Sequence, residues 1–219
     1  MPVLLFSVIA HEYAHGYAAL KQGDTTALML GRLTWNPIKH IDPFMTIILP
    51  LMLFLTTHMA LGGAKPVPVN PRNYRNVKRG DIIVSLAGVT ANLALVLLFA
   101  LLVPLIYAVG HLVSSLAAAM GIVQAMMILG IQLNLLLIAF NLIPIPPLDG
   151  SHVMKYLLPP AWSLQYQRVG FVGIILLILV MRFAPGFLNW WFAPADYVSR
   201  ILLVAVSGFI LPSTPGLFR

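Results

Sequence analysis

The sequence contains no cysteine. That excludes a disulfide framework and any thiolate metal site, so a bound metal would have to be held by His, Asp or Glu. Charge is also scarce. Only 9% of the 219 residues are Asp, Glu, Lys or Arg, against about 25% in soluble domains. The six acidic residues include a single glutamate, Glu12. No internal repeat, low-complexity tract or appended soluble domain interrupts the chain, which argues against a solenoid or a multidomain soluble protein.

Apolar residues are abundant instead, at 60% of the chain with a mean hydropathy of +0.93. This composition belongs to an integral membrane protein. The formal net charge of +7 comes from Lys and Arg in the loops without aromatic interleaving, so it reads as a positive-inside bias and not as a nucleic-acid surface. A cleavable signal peptide is not expected, because the first apolar stretch lacks a basic leader and runs straight into a polar motif.

A helix needs about 20 apolar residues to cross a bilayer core of about 30 Å. Five stretches qualify, roughly 2–20, 82–109, 120–143, 167–184 and 198–212. A sixth, 44–61, carries Pro50 and His58 and reads as either a span or a re-entrant segment. If it is re-entrant, most basic residues share one side, leaving only Arg182 and Arg200 opposite; the positive-inside rule favours that arrangement, with the N-terminus outside and the C-terminus inside. The fold class expected is thus an all-α polytopic bundle of five to six transmembrane helices. Small membrane-associated β elements are expected in the loops at 27–43 and 62–74, where β-favouring residues and the alternating Val and Pro of "KPVPVNP" suit an edge strand. Such an edge could accept an extended peptide.

Within the first stretch lies "HEYAH", His11 to His15. Histidines four apart project from one face of a helix, the spacing that suits two ligands of one zinc ion. Glu12, next to the first, is placed to act as general base. Ionisable groups in membrane helices cost about 2.5–3.5 kcal/mol even on lenient scales, so the cluster points to function. His11 lies roughly 15 Å along its helix, near mid-bilayer, and water must reach it through a cavity.

A catalytic zinc takes three protein ligands and keeps one position open. Asp149 is the candidate for the third, since it closes "NLIPIPPLDG" (141–150), whose three prolines break the preceding helix and let the chain turn back. His152 and His58 compete for that role, while His40 and His111 read as interfacial. Asn141 could offer an amide N–H to a developing oxyanion.

A membrane-embedded HExxH with a later NxxPxxxLDG segment resembles the site-2 protease family of intramembrane zinc metalloproteases. The helix "SLAGVTANLALVLL" (85–98) is similar to that family's AGPxxN helix, with Val89 where the family usually has proline. The resemblance runs from about residue 5 to 155. It implies one Zn2+ per chain bound by His11, His15 and Asp149, Glu12 as catalytic base, and Asn141 near the scissile carbonyl. It further implies that the loops at 27–43 and 62–74 present substrate. The lack of a PDZ insertion or CBS extension resembles short bacterial and archaeal members, implying a multi-pass protein of a bacterial or archaeal cytoplasmic membrane. The substrates implied are transmembrane or membrane-anchored proteins, and residues 1–219 form one metalloprotease domain, with a core of about 2–155 and C-terminal helices at about 167–212.

Two other functions fit parts of the pattern. A membrane zinc protease could cut soluble peptides at the membrane face, and a metal-ion or proton transporter could use the same His, Glu and Asp cluster at mid-bilayer. A base adjacent to a ligand has no special purpose in a transporter. Trp190, Trp191 and Phe192 read as an interfacial anchor, and Met120, Met126 and Met127 as packing residues.

Overall fold

A computed structural model of the chain describes residues 2–43, 48, 64–170 and 172–215. Helix α1 (Pro2–Gln22) begins with proline, whose fixed φ and missing N–H suit a first helical turn. It stops at Gly23, whose φ of 109° is left-handed backbone open to glycine. A short α2 (Thr26–Met29) follows. Helix α3 (Val77–Leu112) is capped by Asn76, whose side chain accepts the Arg79 N–H at 2.9 Å. Its 36 residues extend ~54 Å, more than a bilayer core. Helix α4 (Ala117–Asn141) ends where Pro144, Pro146 and Pro147 remove backbone donors. The remaining helices are α5 (Asp149–Met154), α6 (Pro160–Arg168), α7 (Val172–Phe183) and α8 (Pro185–Val206).

The core that supports the polar motif is a three-helix layer. Val3 and Ala10 of α1, Leu95, Val96 and Phe99 of α3, and Ile131 and Leu135 of α4 are buried together. Ala19 of α1 meets Val84 of α3 near the other end, so α1 and α3 run antiparallel. Ser7 and Asn134, both fully buried, are joined by an Asn134 Nδ2–Ser7 Oγ hydrogen bond of 2.8 Å. That bond fixes α1 against α4 where an unpaired amide would be costly. Met126 and Met127 pack on this core.

Among the described residues, three helical stretches are long and apolar enough to cross a membrane: Val77–Leu112, Ser114–Asn141 and Gly186–Phe209. Helices α6 and α7, bent by 84°, could supply a fourth as one broken span. Of the five to six spans expected, three or four are thus found among the described residues. α1 has the length but not the hydropathy, since its polar motif dilutes the apolar run. Segment 44–61, with His58, falls outside the described residues. The last expected span, 198–212, begins earlier in the chain, as α8. Trp191 donates its Nε1–H to Ala139 O at 2.8 Å, tying α8 to α4.

No strand occurs among the described residues. The 27–43 loop holds the end of α2 and a 3-10 turn at Pro37–His40. Residues 64–70 have no regular structure, and with no N–H on Pro66 or Pro68 their ties run largely to side chains.

Candidate metal centre

α1 carries His11 and His15 on one face, with rings 4.6 Å apart and nearly perpendicular. Asp149 reaches them because the chain reverses after α4. Ile145 N–H bonds Ile143 O and Leu148 N–H bonds Ile145 O, at 2.8 and 2.9 Å, and α5 then starts at Asp149. The reversal is tight: a Cβ on Gly150 would collide with the carbonyl oxygens of Leu142 and Ile143. Only glycine allows α5 to sit so close on the end of α4.

The donor atoms converge. His11 Nε2 and His15 Nε2 are 3.0 Å apart, and Asp149 Oδ2 lies 3.2 Å from the first and 3.3 Å from the second. His15 Nδ1 donates to Val84 O of α3 at 2.7 Å. That bond leaves the Nε2 of neutral His15 a bare lone pair aimed at the other donors. α3 presents Gly88 to the cluster, where a Cβ would lie 2.5 Å from Nε2 of both histidines. Glu12, adjacent on α1, accepts the Val67 N–H through Oε2 at 2.8 Å.

Comparison with known proteins gives this geometry a family. Residues 104–181 match Peptidase family M50. Over 197 residues the chain is 39% identical to "Putative zinc metalloprotease YwhC" of Bacillus subtilis, covering 87% of this chain and 85% of that protein. The chain belongs to the M50, or site-2 protease, family. It is also 29% identical over 207 residues to "Putative zinc metalloprotease Rip2" of Mycolicibacterium smegmatis, covering 92% and 75% of the two chains. Against the Mycobacterium tuberculosis protein of the same name it is 30% identical over 189 residues, covering 86% and 68%. No solved structure matches the chain.

An M50 protein is a membrane zinc metallopeptidase, and the donor set fits that ion. Tetrahedral zinc with N and O ligands at about 2.0–2.2 Å spaces them by about 3.3–3.6 Å, and the three separations here, 3.0 to 3.3 Å, reach that spacing with small side-chain shifts. Three acceptor lone pairs brought this close repel one another unless a cation or proton sits between them. Asp149 Oδ2 and His11 Nδ1 are buried without a hydrogen-bond partner. The Gly88 face keeps the histidine nitrogens clear of side-chain carbon.

The other described candidates lie elsewhere. His152, a competitor for third ligand, has its Nδ1 3.2 Å from Asp81 Oδ1. His40, expected at an interface, is 1% exposed and bonds Thr34 O at 2.9 Å. His111 stacks on Tyr107. Asn141 turns its Nδ2 back to Leu137 O at 3.0 Å and makes no hydrogen bond to the cluster.

Three contributors were not read from the sequence. Val84 O and the Val67 N–H are backbone groups, which carry no residue signature. Asp81, 3% exposed, pairs with Lys155 Nζ and with His152, pinning the end of α5 to α3. Opposite charges at 81 and 155, each beside an apolar run, were the available signal.

Proposed function

We propose that this M50 protein is an intramembrane protease that hydrolyses peptide bonds of transmembrane or membrane-anchored proteins, the chemistry of regulated intramembrane proteolysis. It holds one zinc per chain at His11, His15 and Asp149, and residues 1–219 act as one multi-pass domain in a bacterial or archaeal cytoplasmic membrane. The observation that carries the reading is the convergence of three donors within 3.3 Å on elements that pack against long apolar helices, with the only glutamate beside them.

Zinc in this site supplies a Lewis acid that acidifies water and polarises a carbonyl. The chain's own groups do the rest. Glu12 takes a proton from the attacking water on its carboxylate and returns it to the leaving amine nitrogen. The Val84 carbonyl holds His15 in the tautomer that keeps Nε2 free. Asn141 uses one Nδ2–H on Leu137 O and keeps the second amide hydrogen for an oxyanion. A helical substrate has its peptide groups locked in hydrogen bonds, so it must unwind locally, and Gly, Pro or Asn near the scissile bond assists.

The test is cleavage of a single-span substrate in proteoliposomes by wild type and by Glu12→Gln. Wild type is expected to cut within the span, the variant to be inactive, and replacement of helix-weakening residues by Leu and Ala to slow cleavage. Cleavage that persists in Glu12→Gln, or equal rates on a soluble peptide and the span, contradicts the proposal.

A further inference from the structure

The segment 65–70 crosses α1 beside the candidate base, and both its ends are tied down by buried charged groups. At one end Lys65 N–H donates to His40 O at 2.8 Å, and Arg32, 9% exposed, donates from Nη2 to Lys65 O at 2.9 Å and Pro66 O at 3.4 Å. At the other end Asp24, fully buried, accepts the Asn70 N–H at 2.6 Å and Asn73 Nδ2 at 2.8 Å. It also accepts the Thr26 N–H at 3.1 Å, and Arg75 N–H adds a bond to Gln22 O at 2.9 Å. Between these anchors the Val67 N–H reaches Glu12 Oε2 at 2.8 Å. The Val67 side chain is 6% exposed and packs on Gly16, where an added Cβ would meet Val67 Cγ1 at 3.0 Å.

The sequence of the segment isolates that one amide. Pro66 and Pro68 have no N–H, so Val67 is the single donor between Lys65 and Val69. In an extended chain successive amides face opposite ways, and here the amide facing α1 is kept while its neighbours are absent. A carboxylate held through one oxygen by a charge-assisted hydrogen bond has its rotamer fixed and its other oxygen free.

We propose that residues 65–70 are a strap that positions Glu12 for catalysis, with the Val67 N–H as the contact and Asp24 and Arg32 as positioning residues acting through the strap. The proposal rests on the role given to Glu12 above. A free glutamate side chain samples many rotamers, and misplacing a reacting group by 1 Å can cost about 100-fold in rate. Removing the Val67 N–H should therefore lower kcat by about 10–100-fold, with KM within about twofold and zinc content unchanged.

Two measurements separate the contact from the chemistry. Hydrogen exchange of the Val67 amide in detergent-solubilised full-length protein should accelerate by about tenfold or more in Glu12→Ala relative to wild type. Unchanged exchange means that the contact is not made and overturns the proposal. The second replaces Val67 by its α-hydroxy acid, so an ester stands in for one amide and only the N–H is lost. A fall in kcat with KM and zinc preserved supports the strap; wild-type kcat, or a loss confined to KM, overturns it. Asp24→Ala should reproduce the kcat loss, and the ester variant decides the matter if Asp24→Ala does not fold. A wild type that cleaves no substrate refutes the protease reading, while the exchange measurement still decides the contact itself.

Discussion

Gly88→Ala tests the geometry of the centre without touching a ligand. The added methyl would sit 2.5 Å from Nε2 of His11 and of His15, whereas carbon reaches its optimal contact with a heavy atom at about 3.5–4.0 Å. The imidazoles or α3 must therefore retreat by about 1 Å, well beyond the tolerance of about 0.2 Å in ligand distances at a metal site. His15 cannot retreat freely, because its Nδ1 is bonded to Val84 O on the same helix. Disturbing both histidines should weaken zinc binding by at least about 100-fold, or about 2.8 kcal/mol. The fold should suffer less: alanine is favoured over glycine in a helix by about 1 kcal/mol, which offsets part of the overpacking. Competition with a zinc chelator on the solubilised protein reads the affinity, and thermal unfolding of the metal-free protein reads the fold. Gly88→Ala that binds zinc within threefold of wild type would refute the cradle.

Lys155→Met leaves the Asp81 carboxylate, 3% exposed, without its ammonium partner and should cost roughly 3–5 kcal/mol in denaturant unfolding, with Asp81→Asn in the same chain recovering part of it. His152→Ala should keep wild-type zinc content, since its Nδ1 faces Asp81; loss of zinc would return it to the ligand set. Burial works to raise the Asp24 carboxyl, but hydrogen bonds from Thr26, Asn70 and Asn73 outweigh it and hold the group below its ordinary 3.8. A depressed folded value stabilises the protein above the unfolded value of about 3.9, and this contribution is lost as pH falls through the lower, folded value. The melting-temperature gap between wild type and Asp24→Asn should therefore be full near pH 7 and shrink on acidification below about pH 4; a gap independent of pH contradicts the assignment.

What could be read from the sequence was what depends on local spacing. His11 and His15 are one helical turn apart, so their shared face follows from periodicity alone. Asp149 was singled out because three prolines must end α4, although spacing left His152 and His58 open. That α4 is followed by a reversal tight enough to need Gly150 is a matter of packing and could not be read. The long apolar runs announce α3 and α4, and the run at 2–20 announces α1, whose polar motif lowers its hydropathy below that of the other two. The strand expected at "KPVPV" did not appear. Alternation of Val and Pro encodes an extended backbone but not its partner, and the anchors are Asp24, Arg32 and Glu12, up to 55 residues away. Such long-range ties, like the Asp81–Lys155 pair, are set by how the helices pack.

The proposed centre has His11, His15 and Asp149 holding one zinc between them. It is tested most directly by metal analysis of the protein purified in detergent with zinc present, as wild type, His11→Ala and Asp149→Ala. About one zinc per molecule in wild type, with sharp loss in both variants and folded protein throughout, is the predicted result. A wild type without zinc, or an Asp149→Ala protein that retains it fully, would contradict the account.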